Sequence, residues 1–223
     1  MRLKTCAGLL FLVFVFPAPR ARAGGSLFVD DPGVTPTGRC QIESWMRTYA
    51  PGLELTNVPA CTIAGFEYSV GLTRYDFAPG LYASPQVKYT LRDPDRNSWG
   101  AAIAVGGLWS TARGHFDAWN VNVPMSIAMD SQHATMLYVN VGAINPHDRR
   151  VAPAGGVGLQ HSLSGSWILL VETYRADGAY TLQQVGLRRS FGDDVSVDVL
   201  AGHQRDEKSD CWLALGLNVV LPD

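Results

Sequence analysis

An all-β, antiparallel transmembrane β-barrel of about 12 strands is the fold class this sequence predicts. Three observations predict it. The chain opens like an export signal, the remainder alternates apolar and polar residues with a period of two, and most alternating segments reach the roughly 9–11 residues that a tilted membrane-crossing strand needs.

The opening comes first. Met1-Arg2-Leu3-Lys4 is positive, Leu9 to Phe16 is apolar, and Ala21-Arg22-Ala23 supplies small residues at the usual spacing of a cleavage site. The apolar run is roughly half the ~20 residues a spanning helix requires and ends in Pro17 and Arg20, so residues 1–23 read as a signal peptide. The one early cysteine, Cys6, lies inside the part to be removed, which speaks against a lipid anchor. Cleavage after Ala23 leaves 200 residues and, with Arg2, Lys4, Arg20 and Arg22 gone, moves the formal charge from -2 to -6. Only Lys88 and Lys208 remain as lysines, and no Lys/Arg stripe exists to neutralise phosphates, so nucleic acid is excluded as a partner.

Residues 24–38 form a polar lead-in, and 39–223 read as one barrel domain. Leu213, Leu215, Leu217, Val219 and Leu221 alternate with Ala214, Gly216 and Asn218. Phe66, Tyr68, Val70 and Leu72 alternate with Glu67, Ser69, Gly71 and Thr73, and Trp119 to Ile127 repeats the pattern. Such segments are strands with two chemically different faces. Turn residues divide the chain into candidates near 40–49, 53–63, 66–75, 82–91, 99–108, 116–129, 135–144, 152–163, 167–174, 179–190, 195–204 and 211–221. An even number lets the first strand pair with the last, which removes the edges that lipid cannot satisfy.

The faces opposite the apolar residues carry Glu43, Arg47, Glu67, Lys88, Glu172, Arg188 and Asp198. In a barrel in lipid these charges turn into the lumen, whereas in a soluble sandwich they would face bulk water. Alternation alone does not say which face is outside. Export, strand length and the abundance of Gly and Ala on the polar faces favour the membrane, and a soluble periplasmic β-sandwich is the other reading. Glu172, Arg188 and Asp198, on three consecutive strands, suit either a selective constriction or a buried network that stiffens a plugged barrel.

Cys40 and Cys61 sit almost symmetrically about Ala50-Pro51-Gly52 and would face each other across a hairpin. They either pair in an oxidising compartment or act as small apolar fillers, with Cys211 as the odd one out. His115, His133, His147, His161 and His203 show no close metal-ligand spacing, so no metal is expected. His161 and Ser162 point to opposite faces as strand neighbours, and His161 falls on the outward one. Gly155-Gly156-Val157-Gly158 precedes no helix and reads as a strand with small lumen-facing residues rather than a phosphate loop. No catalytic set and no cofactor follow from these residues.

The lead-in Phe28-Val29-Asp30-Asp31-Pro32-Gly33-Val34-Thr35-Pro36-Thr37-Gly38-Arg39, followed by Gln41 and Glu43, resembles the opening of a family of outer-membrane barrels. Its members are labelled proteins of the meta-pathway of phenol degradation, or simply transporters. The resemblance continues through Phe66 to Thr73, Gln86 to Tyr89, Gly158 to Glu172, Gln184 to Arg188 and the Gly192-Asp193-Asp194 turn. It implies a cell outer membrane location, lipid and the barrel assembly machinery as partners, and passive uptake of small solutes, aromatic or apolar ones among them. The family has no catalytic motif to carry over. This chain departs from it at Val220-Leu221-Pro222-Asp223, where such barrels usually end on an aromatic. The alternative function is a structural outer-membrane barrel with a plugged lumen.

Overall fold

The computed structural model describes residues 24–176, 180–205 and 210–222. The proposed signal peptide, residues 1–23, lies outside them. Twelve strands follow in chain order: β1 (Cys40–Thr48), β2 (Leu53–Ile63), β3 (Phe66–Tyr75), β4 (Leu81–Arg92), β5 (Trp99–Ser110), β6 (His115–Ala128), β7 (Thr135–Pro146), β8 (Ala152–Ser164), β9 (Trp167–Ala176), β10 (Tyr180–Phe191), β11 (Val195–Arg205) and β12 (Asp210–Val220). Each pairs antiparallel with its neighbour, and β1 closes on β12 from Gln41↔Val220 to Thr48↔Leu213. The barrel therefore has no free edge, as the even strand count requires.

The turns explain the sharp breaks. Between β2 and β3 only Ala64 and Gly65 intervene, both at positive φ (51° and 83°), the two-residue hairpin geometry that matches strand twist. Glycine takes that conformation freely and alanine does not. The end of the barrel holding Cys40 and Val220 is called the terminal end below, and the opposite rim the far end.

Alternation places apolar side chains outside. Val105, Val141, Val199 and Leu213 are all more than half exposed, at 52%, 57%, 58% and 63%. Arg188 and Asp198, by contrast, are completely enclosed. That distribution inverts a soluble protein's, in which large apolar chains are buried and charges are wet. The soluble-sandwich alternative fails on it.

One feature differs from the alternation read in the sequence. The inner face is not uniformly small or polar: Ile168, Leu170, Leu182, Leu200, Trp212 and Ala214 of β9 to β12 form a buried apolar cluster inside the barrel, packed against Leu27 and Phe28. Cys40 and Cys61 stand opposite each other in register and are disulfide-bonded. Cys211, expected as the odd one, is not a free thiol.

Candidate functional site

The lead-in does not hang from the barrel. It enters the lumen from the terminal end and is bound there residue by residue. Gly38 N–H donates to Thr62 C=O at the rim (2.8 Å), where the segment joins β1. Deeper, Thr35 donates through its N–H and its hydroxyl to one oxygen of Glu67, at 2.9 and 2.6 Å. Thr90 donates to Pro32 C=O, and Lys88 Nζ reaches the Asp30 carboxylate at 3.1 Å and Asp31 C=O at 3.2 Å. Asn140 both accepts from Asp30 N–H and donates to Asp30 C=O.

At mid-barrel Glu172 accepts from the N–H groups of Phe28 and Val29, at 2.7 and 3.0 Å, and from Gln184 Nε2 at 2.8 Å. The Phe28 ring lies against Trp212 and Tyr174, with the Arg47 guanidinium 4.5 Å from its centroid. Arg47 and Gln184 both donate to Ser26 C=O, and Ser26 Oγ donates to Asp198 at 2.6 Å. A turn closed by Leu27 N–H to Gly24 C=O then sends the chain back toward the terminal end.

Glycines on the wall make room for this segment. A Cβ at Gly156 would stand 2.9 Å from a Val29 methyl, and one at Gly216 would stand 2.9 Å from Ser26 Oγ. Within the glycine-rich stretch of β8, Gly156 and Gly158 thus border the lead-in at Val29, while Gly155 packs against the β7 backbone, and the Thr173 carbonyl also leaves no room for a side chain at Gly156.

The seven charges read from the sequence all sit on the inner wall, with different partners. Arg188 and Asp198 form an enclosed two-point pair, Nε–Oδ1 2.6 Å and Nη2–Oδ2 2.8 Å. Arg47 pairs with Glu54 at 3.1 Å, and Glu54 also accepts from Trp45 Nε1 and the Tyr49 hydroxyl. Lys88 lies 3.9 Å from Glu67, so β3 and β4 share a charge pair across the lead-in's path. Glu172 is not grouped with Arg188 and Asp198, because its carboxylate serves the lead-in. Glu43 lies beside Gly25 and faces a cavity.

Sequence reasoning missed Glu54, Asp30, Asn140, Gln184 and the lead-in as an interior element. Glu54 was findable, since it shares the inner phase of β2 with Thr56, Ala60 and Thr62. Nothing in the local pattern marks an asparagine or glutamine as the partner of a segment more than a hundred residues away.

The segment fills the lumen unevenly. On the β9 to β12 side it is packed. Toward β1 to β4 and β6 to β8 a cavity of about 320 Å³ remains, lined by Gln86, Asn120 and Asn122 and by the charges Asp30, Asp31, Glu43, Glu67 and Lys88. Four carboxylates thus face one ammonium. A second cavity of about 110 Å³ lies on the same side toward the terminal end, between Pro32, Pro94, Tyr138 and Gln160. Among the described residues no group of His, Cys, Asp and Glu is arranged to hold a metal ion.

A family model described as "Uncharacterised conserved protein UCP029691" matches residues 11–221. No curated protein matches the chain. Among solved structures, the KdgM porin superposes with a TM-score of 0.66 at 9% identity, covering 82% of this chain and 99% of that one. The NanC porin gives 0.60 at 10% identity, covering 81% and 100%. The COG4313 outer membrane channel from Pseudomonas putida F1 gives 0.54 at 12% identity, covering 86% and 98%. At these identities the likeness establishes the shared barrel fold alone.

Proposed function

We propose that this chain, which belongs to that uncharacterised family, is an outer-membrane β-barrel giving passive passage to small polar solutes, cations above anions. The observation that carries the reading is the cavity between the lead-in and the wall of β1 to β4 and β6 to β8, where four carboxylates face one ammonium. A pore wall of net negative charge raises the local concentration of cations and excludes anions. The membrane location rests on the outward apolar belt and the closed barrel, and fits an export signal cleaved after Ala23.

The resemblance to barrels of the phenol meta-pathway points instead to aromatic or apolar solutes. The walls of the open half argue against that cargo, because an apolar solute would have to strip water from Gln86, Asn120, Asn122 and the carboxylates without replacing their hydrogen bonds. Phe28 and Trp212 are packed against each other, and of the aromatic side chains Trp45 and Tyr174 border the cavity, beside these polar groups.

A structural barrel with a sealed lumen is the second reading, and the dense bonding of the lead-in favours it. Planar bilayers separate the two. A heat-modifiable barrel from the outer-membrane fraction is reconstituted under a potassium chloride gradient. The channel reading expects discrete conductance with a cation-selective reversal potential, and a Glu43→Gln, Asp31→Asn double variant shifts that potential toward zero. A correctly folded barrel with no conductance above the bare bilayer makes the sealed barrel the correct reading.

A further inference from the structure

We infer that the inner wall is a binding site for an extended peptide, and that Gly24–Thr35 is its tethered ligand, docking and releasing as a unit while the barrel stays folded. Three observations carry this. The barrel is closed by the β1–β12 pairing, so the segment contributes no rung of the sheet and its departure breaks no ladder bond. Its anchors are discrete recognition contacts made by wall side chains: Glu172 on two consecutive backbone N–H groups, Glu67 on both donors of Thr35, Asn140 on both backbone groups of Asp30, and Lys88 on the Asp30 carboxylate. The segment borders the 320 Å³ cavity along one side, so it has space to leave its groove.

The contacts also define the ligand. It is an extended peptide with an aromatic at the position of Phe28, a small branched residue facing Gly156 and Gly158, and an acid next in sequence to meet Lys88. Main-chain bonds supply the affinity and these pockets the order of residues, as in other extended-peptide sites. Tethering holds the ligand at millimolar effective concentration, so the docked form dominates even if each contact is modest. Release would leave the packed half of the lumen open.

The test is thiol labelling of the folded chain in a Cys211→Ser background, in which Cys40 and Cys61 are paired with each other and the introduced thiol is the reporter. Val29 is 3% exposed in the docked segment, and Ser110, 1% exposed, lies at the far end of β5, across the barrel from the packed β9 to β12 half. A Val29→Cys reporter and a Ser110→Cys reporter are each combined with Glu172→Gln, and modification by a membrane-impermeant thiosulfonate is timed. Glu172→Gln removes the charge behind two backbone hydrogen bonds while keeping the side chain's volume. Charge-assisted bonds of this kind shift an equilibrium roughly tenfold each, so labelling at position 29 accelerates about tenfold or more. Labelling at position 110 does not change.

A second variant closes the argument. A Cβ built at Gly158 lies 3.5 Å from Val29 Cβ, within the span a disulfide bridges. Val29→Cys with Gly158→Cys in the Glu172→Gln background cross-links on oxidation, and this abolishes any enlarged conductance step that Glu172→Gln produces. Equal acceleration at 29 and 110 means global loosening and overturns the proposal, as does no acceleration at 29. The labelling arm needs no conductance. If wild-type conductance is absent yet position 29 labels selectively, the channel reading fails and the tethered ligand stands.

Discussion

Replacing Arg188 with leucine strips a completely enclosed carboxylate of its cation. Asp198 is held by Arg188 Nε and Nη2 at 2.6 and 2.8 Å and by the Ser26 hydroxyl at 2.6 Å. The variant keeps only the hydroxyl. Two charge-assisted bonds at about 1.5–3 kcal/mol each would give roughly 3–6 kcal/mol, and removing one partner of a buried pair typically costs about 3–5 kcal/mol. A loss of about 4 kcal/mol is therefore expected. The double variant Arg188→Leu, Asp198→Leu removes the stranded charge as well, and leaves the Ser26 hydroxyl without that acceptor, a cost of about 1–3 kcal/mol. The double variant is thus expected to be more stable than Arg188→Leu alone. The assay is reversible urea unfolding in lipid vesicles, followed by tryptophan fluorescence and by the heat-modifiable gel shift. A single variant within about 1 kcal/mol of wild type would refute the claim that this pair is dry, because an exposed pair is worth only about that much. A double variant less stable than the single would refute the argument that the uncompensated charge, rather than lost packing, causes the damage.

Three further outcomes are expected. Leu215→Arg, at an outward position 49% exposed near the middle of β12, costs about 2–4 kcal/mol in vesicle unfolding if that face meets the bilayer midplane. Reducing the Cys40–Cys61 bond, which closes a 21-residue separation, lowers unfolding free energy by about 3 kcal/mol through the unfolded chain's regained entropy, and the outward position of the pair leaves conductance unchanged. Asp130, in the link between β6 and β7, has its carboxyl held below the usual carboxylate range chiefly by the Ala134 N–H, with help from the N–H groups of Thr135 and Gln132. A depressed acid stabilises the fold above its ordinary pKa and loses that contribution as pH falls through the folded value. Protection factors against hydrogen exchange at Ala134 and Thr135, taken relative to the intrinsic rate at each pH, therefore hold through mildly acidic pH and fall below it, and Asp130→Asn lowers them already at neutral pH.

Local chemistry was enough to write the strands. A period of two across Phe66–Thr73 or Leu213–Leu221 can be satisfied only by a strand with unlike faces, and turns such as Ala64-Gly65 cut the run where the chain must reverse. Twelve such segments, their boundaries and the charges on one face all follow from that periodicity. So does the pairing of Cys40 with Cys61 as one of two readings, since a hairpin's turn fixes its register. Which face looks outward does not follow, because alternation is symmetric between the two faces. Closure of β1 on β12 decided it, by enclosing Arg188 and Asp198 and leaving Val199 and Leu213 outside.

The lead-in shows the limit most sharply. As sequence it is a polar stretch with two prolines in its last seven residues, indistinguishable from a linker. Its place in the lumen is set by Glu172 and Asn140, 143 and 110 residues away from the backbone groups they bind. The same holds for Leu170, Leu182, Leu200 and Trp212, which break the expected polar inner face because the lead-in's Leu27 and Phe28 pack against them. Periodicity reports on neighbours in the chain, and a lumen is lined by residues that only the closed barrel makes neighbours.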